Sequence, residues 1–182
     1  QQVIKLRFYK LKVCDFYLVL DSDSYFIRDF YISDFMYDDH TPYIVCHEGK
    51  SGTLLNTKFG NTQAMYDKEE FIRKFFDRRG KHYRFLTSPF MFSSHVCREL
   101  DKQYGADWCI KLCSCEAAWH GEMLLSMGLP YKPTELFFEC MVYQGKLDLW
   151  RKLKISTKDI SNQYIGIGMQ DKLLKEHKYE NV

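Results

Sequence analysis

The chain reads as an α/β protein. Short apolar runs of strand length alternate with amphipathic segments of helical period. One run, Phe16-Tyr17-Leu18-Val19-Leu20, is uniformly apolar and stops abruptly at Asp21-Ser22-Asp23-Ser24, as a central strand does when it delivers side chains to the cleft at its carboxyl end. With 182 residues, 46% hydrophobic and 16% aromatic, there is enough apolar material for a single core, so one domain is expected over 1–182.

Residues 1 to 13 set Ile4, Phe8 and Leu11 on one helical face, ahead of the strand at 16–20. A second strand is expected at Pro42-Tyr43-Ile44-Val45-Cys46, after the turn-like Asp38-Asp39-His40, and the polar, glycine-bearing stretch 49–61 reads as a loop. A helix over 66–78 would turn Ile72, Phe75 and Phe76 inward and close at Arg78-Arg79-Gly80-Lys81. Phe90-Met91-Phe92 reads as a strand. Ser93 or Ser94 can then cap a helix carrying Val96, Leu100 and Tyr104, which ends at Gly105. Ser114 precedes a further helix running to Met127, with Gly128 and Pro130 as its stop. A strand around 137–143, a short helix near 145–153, an apolar patch at Tyr164-Ile165-Gly166-Ile167 and a lysine-rich, frayed helix complete the reading.

Charge narrows the partners. Lys and Arg number 26 against 24 Asp and Glu, a balance that argues against a nucleic-acid surface. No apolar run approaches the roughly 20 residues that cross a bilayer, and the first residues lack the pattern of a signal peptide. The seven cysteines, an odd number in a chain able to fold without staples, point away from a disulfide framework and toward a reducing, cytoplasmic setting. Lys172, Lys175 and Lys178 leave peripheral contact at the inner membrane surface open. The first residue is not Met and the opening residues read as mid-helix, so the chain is expected to be a piece of a longer one.

The Asp-x-Asp at 21 and 23 is the strongest chemical signal. In an extended segment alternate side chains point the same way, so both carboxylates can converge on one cation. Mg2+ or Mn2+ suits so sparse a set, because water and phosphate oxygens complete its shell. Such an ion would stabilise charge growing on a departing diphosphate. Lys5, Ser22 and Arg28 are the candidates to touch those phosphates. The spacing of Cys109, Cys113 and Cys115 lacks a second paired knuckle and argues against structural zinc.

Gln2, Lys5 and Leu6, then Tyr17-Leu18-Val19-Leu20-Asp21-Ser22-Asp23, then Phe26-Ile27-Arg28 and Phe35 resemble the central segment of GT-A glycosyltransferases, especially an uncharacterised, largely bacterial family. Ser88-Pro89-Phe90-Met91-Phe92 and Cys115-Glu116-Ala117-Ala118-Trp119-His120-Gly121-Glu122 extend the similarity to about residue 128. The resemblance implies a Rossmann-related mixed sheet flanked by helices, a nucleotide-sugar donor, a glycan or glycolipid acceptor, and catalytic duty for Asp23 through its metal. It also implies that the nucleotide-binding half, which in that fold precedes the metal-binding acids, is missing here. Glu116 is then the candidate base or acceptor-orienting carboxylate, with the helix dipole as the plain alternative reason for an acid there. His47, Glu48, Ser88 and Pro89 are candidates for the acceptor side, His120 either joins them or packs, and Glu122, the rival to Glu116, reads more readily as a solvated helix residue.

Two other functions fit parts of the sequence. A strand followed by Asp-x-Asp-Ser is similar to the first motif of haloacid-dehalogenase-type phosphatases, but no downstream Gly-Asp-x-x-x-Asp follows. A non-catalytic remnant of the fold that binds a glycan or a partner is the third reading. Retention or inversion of the sugar is not legible.

Overall fold

The computed structural model describes residues 1–48, 62–85, 89–134, 137–141 and 144–169. The expected loop 49–61, Ser88 and the lysine-rich end with Lys172, Lys175 and Lys178 lie outside them. In chain order the elements are α1 (Gln2–Arg7), a 3-10 turn (Phe8–Leu11), β1 (Phe16–Val19), β2 (Ser24–Phe26), a second 3-10 turn (Ile32–Asp34), β3 (Met36–Asp38), β4 (Thr41–Val45) and β5 (His47–Glu48). Then come α2 (Thr62–Phe75), β6 (Tyr83–Arg84), β7 (Phe90–Ser93), α3 (Ser94–Gln103), α4 (Ala106–Leu112), α5 (Glu116–Ser126) and β8 (Lys132–Thr134). Last are β9 (Phe138–Met141), α6 (Gln144–Leu153), α7 (Thr157–Ser161) and β10 (Gly166–Met169). The architecture is α/β, with helices and small sheets that mix parallel and antiparallel pairings. Packing divides it into two compact units, one within residues 1–19, 35–86 and 90–135, the other within 20–34, 87–89 and 136–182.

In the first unit β1 pairs antiparallel with β7, from Phe16 opposite Ser93 to Val19 opposite Phe90. β4 lies between β3, antiparallel, and β8, parallel, while β5 pairs antiparallel with β6. α5 packs against α1, α2 and α3, and the core of the unit includes Leu6, Ile72, Phe92, Val96, Leu100, Trp119 and Leu124. The Trp119 indole N–H donates to the Cys113 carbonyl at 2.8 Å, so the largest core side chain leaves no buried donor unpaired. Asp101 fastens the start of the chain to the junction of α3 and α4. It accepts from Arg7, from the Tyr9 hydroxyl at 2.8 Å and from the Ala106 N–H at 2.7 Å, and pairs with Lys10.

Several local expectations are corrected here. β1 is not uniformly buried: exposure alternates along it, as in a strand with one face on a core. Ile4 and Leu11 do not face inward; Leu6 does. The cause is the switch from α to 3-10 geometry at Phe8, closed by the Lys12 N–H on the Tyr9 carbonyl, which breaks the 3.6-residue period that would have aligned them. α2 ends at Phe75 rather than 78, because Asp77 takes a left-handed φ of 48° and the Arg78 N–H bonds back to the Arg73 carbonyl. Ser114 does not cap α5; Cys115 holds that position without a side-chain bond, and Glu116 supplies the negative charge in the first turn. Ser93 does cap α3, accepting from the Val96 N–H.

In the second unit β10 is the middle strand, antiparallel to β2 and parallel to β9. Leu147, Ile160 and Ile167 form its core, with Tyr25, Ile27, Trp150 and Tyr164 packed around them. Gly166 lies flat under Phe138, where a Cβ would fall 2.4 Å from the ring. Ser156 and Asp159 close a reciprocal capping box on α7.

Candidate functional site

The acidic pair sits in the second unit. Asp21 to Ser24 form a hydrogen-bonded turn, the Ser24 N–H donating to the Asp21 carbonyl at 3.1 Å. The premise of an extended segment is therefore corrected: the two carboxylates stand at the first and third positions of a turn leading into β2. Asp21 and Asp23 are half-buried and Ser22 is exposed. Arg28 donates to the Asp29 carbonyl at 2.9 Å and to Asp34 Oδ1 at 3.2 Å, while Asp34 also accepts the Tyr31 N–H. Among the described residues no group of three or more His, Cys, Asp or Glu side chains is arranged to hold a metal. Two hard carboxylate oxygens fit Mg2+ or Mn2+ when water and phosphate supply the remaining ligands.

The other candidates meet in the first unit, at the head of α5. Lys5 Nζ lies 2.7 Å from Glu116 Oε1, the two side chains only 13% and 11% exposed. Lys5 therefore faces the candidate base, and α1 and α5 hold the pair in place from either side. One turn on, His120 is buried; its Nε2 accepts the Ser93 N–H at 2.9 Å and its ring stacks on Phe92 at 4.5 Å and 11°. Burial pushes the imidazole down to about 3, so the ring is neutral with its proton on Nδ1.

Glu122 is not solvated. It is buried against Arg78, which reaches both carboxylate oxygens, one of them at 2.8 Å. A second buried pair, Glu69 Oε2 with Arg84 Nε at 3.0 Å, links α2 to β6. Burial pushes Glu69 up to about 7 against the pull of Arg84, and no described residue bonds its Oε1. Sequence reasoning missed Glu69 and read Glu122 as solvated, although helical period carried the signal: Glu69 lies three residues before inward Ile72, and Glu122 three after Trp119. The Cys109 and Cys115 thiols are pushed up to about 11 and about 12 by burial, which keeps them protonated.

No described helix is long and apolar enough to cross a membrane. No curated protein matches the chain. Residues 1–159 match the model of DUF6492, a family of unknown function, and the chain belongs to that family.

Proposed function

We propose that this protein transfers a sugar from a nucleoside-diphosphate donor to a glycan or glycolipid acceptor, on a GT-A-like fold, with Asp21 and Asp23 as ligands of Mn2+ or Mg2+. The observation that carries the reading is the tight turn after β1, in which two half-buried carboxylates flank one exposed serine. When bound, the metal would stabilise the negative charge of the departing nucleoside diphosphate. Ser22, exposed between the acids, would donate to a phosphate oxygen. Within the first unit, Lys5 holds the Glu116 carboxylate by one oxygen so that its orientation is fixed, which suits Glu116 to a base or acceptor-orienting role. A lipid-borne acceptor would bring the protein to the inner membrane surface from the cytoplasm.

Isothermal titration of Mn2+ with UDP or GDP tests this. Wild-type protein should bind one nucleotide only in the presence of metal, and Asp21→Ala/Asp23→Ala should lose that binding while remaining folded. Folded wild-type protein that binds neither nucleotide would overturn the reading.

A further inference from the structure

Helix α6 turns one face inward and presents a different chemistry outward. Leu147 is buried in the core of the second unit and Trp150 packs against that core, whereas Leu149 and Leu153, one turn apart, are 50% and 58% exposed. Lys152 shares their outer face, and every residue from Arg151 to Asp159 is exposed. The helix closes in a Schellman turn, the Lys154 N–H donating to the Arg151 carbonyl at 3.1 Å and the Ile155 N–H to the Trp150 carbonyl at 2.9 Å. Such a turn needs a left-handed residue, and Lys154 supplies it at a φ of 54°, where glycine would carry less strain. A cation is thus held where the backbone favours no side chain at all, and Ile155 follows it, 36% exposed.

Cations crowd the same segment. Between 144 and 159 stand Lys146, Arg151, Lys152, Lys154 and Lys158, against Asp148 and Asp159. Lys146 pairs with Glu139 and Arg151 with Asp148, while Asp159 is committed to its capping box with Ser156. Lys152, Lys154 and Lys158 make no ion pair among the described residues. Single exposed leucines are ordinary on a protein surface. Two on one helical stripe, with an isoleucine after them and three unpaired lysines around them, suit an element that lies on lipid. Its apolar side chains enter the acyl boundary, and the long lysine stems keep their ammonium groups among the headgroups. A nucleic acid would satisfy the lysines and leave the leucines wet. The excess of cations selects anionic lipid.

We propose that α6 and the turn after it, from Leu149 to Lys158, dock the protein on an anionic lipid surface. With ten residues the helix lies on that surface and does not cross it. The inference stands apart from the transferase reading, since it draws on no residue of the acidic turn.

Flotation of the protein with phosphatidylcholine vesicles, with and without phosphatidylglycerol, tests it. Binding is expected only where phosphatidylglycerol is present, and should weaken in high salt. Leu149→Ser/Leu153→Ser, at exposed positions, should keep the fold and bind about tenfold more weakly. Lys154→Gly should raise the denaturation midpoint, by relieving the left-handed lysine, and yet weaken vesicle binding about fivefold. A purely structural lysine would show the first change without the second. No binding to anionic vesicles would overturn the inference, as would binding that either variant leaves intact, or that only Lys172→Gln/Lys175→Gln/Lys178→Gln removes. Self-association that the leucine variant abolishes, without vesicle binding, would make a second copy the occupant and overturn it too. Vesicle binding without metal-dependent nucleotide binding would sink the transferase reading alone; the reverse would sink this inference alone.

Discussion

The guanidinium of Arg78, from the segment after α2, grips both carboxylate oxygens of Glu122 in the interior of the first unit. Removing one partner strands a charge away from water. Arg78→Met is therefore expected to destabilise the protein by about 3–5 kcal/mol, whereas Arg78→Met with Glu122→Leu should recover most of that loss. Chemical denaturation of the two variants measures the difference, and equal losses would show that the ion pair is not what matters there.

His120 and Glu69 respond to pH in opposite directions. The histidine titrates near 3 when folded and near 6.5 when unfolded, so between those values the unfolded chain holds more protons and stability falls as pH falls. From pH 6.5 to 5 this amounts to about 2 kcal/mol. Glu69 titrates near 7 when folded, above its ordinary 4.5, so here the folded chain holds more protons and stability falls as pH rises from 4.5 through 7. The two slopes oppose each other. Glu69→Gln is expected to unmask a steeper loss on acidification than the wild type shows, and His120→Asn the reverse; denaturation midpoints at pH 5, 6, 7 and 8 test both.

Gly121 has no space for a side chain, since a Cβ would meet the Phe85 ring at 2.3 Å. Gly121→Ala should destabilise by about 1–3 kcal/mol through overpacking, despite the better helix propensity of alanine. Phe85→Leu in the same chain should return part of the loss, a coupling that a double-mutant cycle would read out.

On the transferase reading, Lys5→Met leaves Glu116 without its partner at 2.7 Å. The variant should keep metal-dependent nucleotide binding unchanged while kcat falls by about 10–100-fold. An unaltered kcat would reduce the pair to a structural contact between α1 and α5.

Periodicity revealed most of the elements: the strands at Thr41–Val45 and Phe90–Ser93, the Ser93 cap and the Gly128 stop all follow from local residue chemistry. Short strands such as Ser24–Phe26 and Met36–Asp38 escaped, because three residues carry no period and exist only through partners such as Gly166–Met169. At the site, the candidate residues were legible as residue types but their partnerships were not. That Lys5 would face Glu116 depends on two helices 111 positions apart in sequence, and the buried acids Glu69 and Glu122 were hidden by the habit of reading charge as surface.

Strand β10 joins β2 although Gly168 and Ser24 are separated by about 140 residues of chain. During synthesis, at about 5–20 residues per second, the β2 edge has to wait on the order of 10 s before its partner leaves the ribosome. Such a long-range closure makes this sheet a late event in folding, and for that interval the edge at Tyr25 and Phe26 is a place where nascent chains can pair with each other or where a chaperone finds its grip.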